Sequence, residues 1–206
     1  MSYFTNSRPE ILAIVPPGVK TVLDVGCGAG TFATALKDKT GCEVWGIEPV
    51  SEVATEAKKV LDNVITGLFD DAIQQVNRKF DLVCFNDVLE HMPDPWSCLK
   101  KTRMLLNNGG MVIASMPNIL HYQEFFDILF QKDWKYSDAG IMDKTHLRFF
   151  TKKSMVRMFE ECQYRIIDVK GLDPTPSKKM GLLSLLSFGY FNEMRYPQFA
   201  IQATVK

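Results

Sequence analysis

From Thr21 to Ser115 the chain alternates short apolar runs rich in β-branched residues with segments of helical spacing. The runs are TVLDV (21–25), EVWGIE (43–48), NVITG (63–67), FDLVCF (80–85) and MVIAS (111–115). A strand with one wet face alternates apolar and polar residues, whereas a strand covered on both faces reads as an unbroken apolar run. These runs are of the second kind. They predict an α/β fold, a doubly wound and mostly parallel sheet with helices on both faces.

The intervening segments support this reading. Arg8 to Val15 predicts a short helix stopped by Pro16-Pro17-Gly18, and a second helix is expected from about Thr31. Ser51 is expected to cap a helix to about Asp62. Asp94-Pro95 opens another, with proline at its favoured first position, running to Leu106 and ended by Asn107-Asn108-Gly109-Gly110. After Pro117 the pattern changes. Ile119, Leu120, Tyr122, Phe125, Phe126, Leu129 and Phe130 fall at helical spacing. Such a stripe is read first as core, the other reading being a surface that stacks on a ring, with Trp134 and Tyr136 beside it. Thr151 caps a helix to about Cys162, and YRIIDVKG and YPQFAIQATVK are further strands. Between them GLLSLLSFGYFNEM is too long for a hairpin turn. Packing on the domain is its default reading, before a dimer contact, a cap on the site or a membrane rest. With no repeat and no linker composition, residues 1–206 are expected to form one domain, with a lid at about 118–150 and an apolar insertion at about 172–195.

Charge excludes some functions. The 24 basic and 24 acidic residues balance, so no net field draws the chain to nucleic acid, and no nucleic-acid partner is expected. The five cysteines form no C-x-x-C pair and several sit in apolar runs, which fits reduced, buried thiols. MSYFTNSRPE lacks the apolar core of a signal peptide and no run is long enough to span a bilayer. A cytoplasmic protein without stable membrane insertion is expected.

DVGCGAGTF (24–32) places three glycines between a strand and a helix. Glycine there lets a ligand approach the backbone, and the helix start offers unsatisfied N–H groups. The spacing is G-x-G-x-G, with Thr31 where a dinucleotide fingerprint has its last glycine, which disfavours a nicotinamide oxidoreductase. Asp24 closes the first strand. Glu48, followed by Pro49, closes the second, where a carboxylate can accept hydrogen bonds from two ribose hydroxyls.

Together, VLDVGCGAG, GIEP, FDLVCFNDVLEHMPDP and GGMVIASMPN resemble the class I S-adenosylmethionine-dependent methyltransferases, over roughly residues 8 to 170. The resemblance implies seven strands in the order 3-2-1-4-5-7-6, the last antiparallel, and S-adenosylmethionine as cofactor. It implies that Gly26, Cys27 and Gly28 line the methionine and ribose portion while Asp24 positions the amino-acid end. Glu48 should hold the ribose diol and Asn86 should touch the methionine. Asp70 would meet the adenine edge, with Phe69 as a wall of that pocket.

NDVLEH (86–91) clusters two acids and a histidine. If the stretch is helical, Asp87, Glu90 and His91 share a face, and Asp87-x-x-Glu90 can act as an acidic capping box. A neutral His91 can also take the proton of an acceptor hydroxyl. Asp-x-x-Glu-His is moreover similar to the Glu-x-x-Glu-His of ubiquinone-pathway and small-RNA O-methyltransferases. That implies a divalent metal (Mg, Mn or Zn) on Asp87, Glu90 and His91, with His146 of THLRFFT as a further ligand. RPEILAIVPPGVKTVLDVGCGAG with THLRFFT also resembles methyltransferases of bacterial polysaccharide and glycan clusters. The leading expectation is therefore O-methylation of a small-molecule or sugar hydroxyl, on a nucleotide sugar or lipid-linked glycan, with His91 as base and His146 assisting. The alternatives are the metal-dependent reaction on a catechol-like or vicinal diol, and a non-catalytic cofactor-binding module. Replacing Glu48 by Ala should weaken S-adenosylhomocysteine binding by roughly 1–3 kcal/mol in calorimetry, the scale of lost charged hydrogen bonds. An unchanged affinity would move the ribose site elsewhere.

Overall fold

The computed structural model describes residues 7–206; the MSYFTN segment, part of the stretch expected to carry no signal peptide, lies outside them. In chain order the elements are α1 (Pro9–Leu12), β1 (Thr21–Val25), α2 (Thr31–Thr40), β2 (Glu43–Glu48), α3 (Ser51–Ala57), β3 (Asn63–Thr66), α4 (Phe69–Ala72), β4 (Phe80–Asn86) and α5 (Pro95–Thr102). Then come β5 (Leu106–Pro117), α6 (Tyr122–Gln131), α7 (Lys152–Glu161), β6 (Tyr164–Leu172), α8 (Lys178–Leu186) and β7 (Gln198–Val205). The seven strands form one sheet in the order β3-β2-β1-β4-β5-β7-β6. All neighbours pair in parallel except β7, which is antiparallel to both β5 and β6.

The unbroken apolar runs have the expected cause. Val22, Val44, Leu82, Cys84 and Ile113 point to one face, packing under Ile11 of α1, Phe32 and Leu36 of α2 and Ala54 of α3. Leu23, Ile47, Val83, Phe85 and Val112 point to the other, under Phe69 of α4, Leu99 of α5 and Phe159 of α7. Each strand therefore feeds two cores. All five cysteines are buried and reduced.

Several boundaries differ from expectation. Ser51 is the first helical residue of α3, not its cap; Val50 precedes it, and its N–H bonds to Glu48 Oε1 at 2.9 Å. The helix stops at Ala57, short of Asp62, whose carboxylate instead accepts from Val44 N and Lys37 Nζ. Asn107-Asn108-Gly109-Gly110 belongs to β5, accommodated by a register shift between Phe80 and Leu82. By contrast, Asp94 and Thr151 cap α5 and α7 as expected, each accepting from the N–H three residues on.

Two apolar segments do not join the core. No residue of α6 is fully buried, and Leu129 and Phe130 face outward. Its anchor is polar: His121, 3% exposed, reaches Glu124 through Nδ1 and Thr175 Oγ1 through Nε2. The 181–191 stretch likewise projects rather than packs. Met180 and Met194 are buried at its ends, while Leu185, Leu186, Phe188 and Tyr190 are exposed. Among the described residues, no helix is long and apolar enough to cross a membrane.

The joint between α5 and β6 offers a clean probe. Tyr164 is fully buried and donates its hydroxyl to the Leu99 carbonyl at 2.9 Å. Tyr164→Phe leaves that carbonyl without the bond and should cost about 1 kcal/mol, seen as a lower urea midpoint at unchanged m.

Candidate active site at the carboxyl edge of the sheet

Strand order reverses between β1 and β4: β2 and β3 lie on one side of β1, β5 to β7 on the other. Helices leaving adjacent strands on opposite faces open a crevice at such a point, outside the strands' carboxyl ends. The glycine loop, Glu48, Asn86 and NDVLEH all arrive at that edge.

Gly26, Gly28 and Gly30 all take left-handed φ, of 71°, 56° and 85°. A Cβ on Gly26 would lie 2.6 Å from Val88 Cγ2, so the loop needs glycine there for space as well as for conformation. The loop is held by Glu48, whose Oε2 accepts from Gly28 N at 3.0 Å and whose Oε1 accepts from Val50 N. Each oxygen keeps a second lone pair for a hydroxyl donor. Pro49 follows on the exposed side of the strand end. Cys27 is buried with Sγ turned to the Gly28 carbonyl, and burial pushes its thiol far up, out of reach of ionisation. Asn86 Oδ1 is buried without a hydrogen-bond partner. A glycine cradle, a strand-end carboxylate with spare lone pairs and an orphaned amide oxygen fit S-adenosylmethionine.

The adenine-side residues Phe69 and Asp70 open α4, just past the end of β3. Phe69 is 7% exposed and packs on Phe85, with ring centroids 6.1 Å apart. Asp70 turns outward to Lys101 Nζ at 2.8 Å. Leu68, exposed just after β3, is the side chain that stands at the edge.

NDVLEH is not an α-helix start. β4 runs through Asn86, Asp87 takes a left-handed φ of 56°, and Leu89–His91 form a single 3-10 turn without a side-chain cap. The capping-box reading fails because Asp87 is engaged elsewhere. Its carboxylate pairs with Arg8 and accepts from Ser115 Oγ at 3.0 Å and Gln198 Nε2 at 3.2 Å. Arg8 also binds Glu10, Ser115 Oγ and Gln198 Oε1. Burial alone would lower the Arg8 pKa, but the Asp87 and Glu10 carboxylates outweigh it and raise it. No sequence signal marks this knot; its members come from α1's approach and from β4, β5 and β7.

Glu90 therefore joins the histidines without Asp87. The backbone arranges this: the Glu90 carbonyl accepts from Leu147 N and Arg148 N at 2.9 and 3.0 Å, stitching THLR onto the 3-10 turn. Ligand atoms of Glu90, His91 and His146 all lie within 4.8 Å of one another. Glu90 is 1% exposed and neither carboxylate oxygen has a partner. Burial, with Asp87 nearby, drives its pKa well up. His146 Nδ1 faces the Ile141 carbonyl at 3.0 Å, a contact that assigns its proton to Nδ1 and the lone pair to Nε2. His91 Nδ1 faces the carbonyl and hydroxyl of Thr145, at 3.3 and 3.2 Å, and that hydroxyl in turn donates to Asp143. Burial, followed by His146, lowers the His91 pKa, so the ring is neutral at pH 7. Two oriented imidazoles and an orphaned buried carboxylate fit a divalent cation, with the Ile141 and Thr145 groups fixing the tautomers. Beside them opens a cavity of about 540 Å³ lined in part by Arg8, Asp87, Glu90, His146 and Gln198. Trp134 packs edge-on against Phe149, and Phe149 against His146, at 4.9 and 6.2 Å between centroids.

Residues 5–169 match a family described as methyltransferase domain. The chain is 28% identical over 168 residues to a ubiquinone biosynthesis O-methyltransferase of Hydrogenovibrio crunogenus, covering 78% of this chain and 68% of that protein. It is 30% identical over 165 residues to the enzyme of the same name from Vibrio atlanticus, covering 76% and 68%. Its fold is like that of a SAM-dependent methyltransferase from Archaeoglobus fulgidus, with TM-score 0.72, 17% identity and coverage of 98% and 96%. A methyltransferase structure from Listeria monocytogenes covers the whole of both chains at TM-score 0.65 and 20% identity.

Asp24 generates a pH prediction. Burial, reinforced by Glu48, raises its pKa to about 8. The folded apo protein thus keeps a proton that the unfolded chain releases near pH 4, so stability falls as pH rises from about 4 to about 8. Asp24→Asn should flatten that decline, measured as urea midpoints across the window; an unchanged slope would assign it to other groups.

Proposed function

The chain belongs to the class I S-adenosylmethionine-dependent methyltransferases, and on that premise we propose that it methylates an acceptor hydroxyl with a divalent cation held by Glu90, His91 and His146. One observation carries this reading: a carboxylate 1% exposed with neither oxygen hydrogen-bonded, beside two histidines. An isolated buried carboxylate is costly, and proteins keep one only with a counter-charge or a task. The names of the relatives, both O-methyltransferases, support oxygen as the acceptor atom.

The cofactor, when bound, supplies an electrophilic sulfonium methyl; a cation at Glu90 would lower the pKa of the acceptor hydroxyl and fix its position. The chain's own part is placement. The left-handed glycines and Glu48 seat the ribose and methionine portions, and Asn86 Oδ1 offers an acceptor beside them. Arg8, Ser115 and Gln198 hold Asp87, and with it the turn that aims Glu90 and His91 at His146. The 118–150 segment, with α6 and the Trp134–Phe149 pair, serves as the acceptor lid. Sugar and aromatic diol acceptors both suit such a site.

A second reading keeps His91 as a base without metal. Its favouring observation is the depressed His91 pKa with Nδ1 turned to Thr145, which leaves Nε2 as the basic nitrogen. Calorimetric titration of Mn²⁺ into protein saturated with S-adenosylhomocysteine separates the two. One-site binding is expected, weakened at least about tenfold by Glu90→Gln or His146→Ala. S-adenosylhomocysteine affinity should be unchanged in both variants. Absence of Mn²⁺ binding, with methylation that persists in chelator, would hand the chemistry to His91.

A further inference from the structure

We propose that the part of the acceptor entering the 540 Å³ cavity is an uncharged hydroxyl-bearing group, and that the cavity wall excludes phosphate and carboxylate. This rests on the reading of that cavity as the acceptor site of an O-methyltransferase.

The wall is acidic. Glu10, Asp87, Asp143 and Asp173 line it against a single guanidinium, Arg8, before Glu90 is counted. No lysine is among the described residues that line it. Arg8 is the group that would ordinarily grip an anion with a two-pronged donor fork. Here its Nε goes to Glu10, Nη1 to Asp87, and Nη2 to Ser115 Oγ and Gln198 Oε1. The guanidinium therefore secures the protein's own carboxylates. Asp143 is a fixed charge rather than a mobile one, since Thr145 N and Oγ1 donate to its Oδ1 at 2.8 and 2.7 Å. The rest of the wall includes Pro117, Ile141 and Pro197, flat apolar surface suited to the carbon face of a sugar or an aromatic ring.

One further observation marks this cavity as a built site rather than a chance group of acids: Glu90 lines it, 1% exposed and without a partner for either oxygen. Asp173 takes a left-handed φ of 44°.

Magnitude favours exclusion. A fixed carboxylate roughly 8 Å from a ligand anion, at an effective dielectric of about 40, disfavours it about sixfold. Asp173 is exposed and Asp143 only partly covered, so solvent screens both, and near the dielectric of water the two together disfavour an anion about sixfold. A neutral diol feels none of this and gains hydrogen-bond acceptors.

The test uses the full chain, first shown to saturate with S-adenosylhomocysteine; failure at that step would count against the methyltransferase reading itself. Matched probes are then titrated: catechol against 3,4-dihydroxybenzoate, and methyl α-glucoside against glucose 1-phosphate, with and without Mn²⁺. In the metal-free protein the neutral member of each pair should bind at least about threefold tighter than its anionic partner, and Mn²⁺, whose charge opposes that of the wall, should shrink the gap. Asp143→Asn with Asp173→Asn should narrow that gap; asparagine keeps the Thr145 acceptor and tolerates left-handed φ. In the metal-free protein, an anionic probe that binds as tightly as its neutral partner, a gap unchanged in the double variant, or no binding of any probe would each overturn the proposal.

Discussion

The parallel pairing of β1 with β4, flanked by strands of opposite progression, is the constraint on which the rest of the molecule depends. Because β1 sends its chain to one side and β4 to the other, the carboxyl ends of Val25 and Asn86 lie together at one edge. The glycine loop and NDVLEH leave from those two ends. Both faces of the sheet are sealed by packed side chains, so the edge is where polar groups can remain accessible to ligands.

What happens at that edge is a division of the acids of one short turn between two polar clusters. Arg8, buried and tied to four polar partners, takes Asp87. The THLR backbone, bonded twice to the Glu90 carbonyl, places His146 against Glu90 and His91. The first cluster is densely hydrogen-bonded; the second contains a carboxyl group with neither oxygen bonded. A satisfied network supporting an unsatisfied one is the usual arrangement of a preorganised site, because the cost of the latter is carried by the former.

The secondary structure was largely legible. Continuous apolar runs located β1 to β5 closely, since burial on both faces leaves no other residue pattern stable there. Asp94-Pro95 and Thr151 announced α5 and α7 through local hydrogen bonds alone. Periodicity misled at α6 and in the 181–191 stretch. An apolar stripe shows that a helix has one face to bury but does not say whether this chain supplies the cover, and here Phe130 and Phe188 remain exposed.

For the site, the sequence by itself determined the chemistry at hand: three glycines after a strand, a carboxylate closing the next, and two acids and a histidine after the fourth. Local backbone geometry needs no distant partner to put those groups at strand ends. Only the tertiary structure decided which acid stands with the histidines. Asp87 and Glu90 are equivalent on paper, but Asp87 turns to a guanidinium 79 positions earlier in the chain, and Glu90 to an imidazole brought in from His146. Charge pairing across folded distance is not encoded in spacing. It follows from which side chains the packed sheet leaves facing one another.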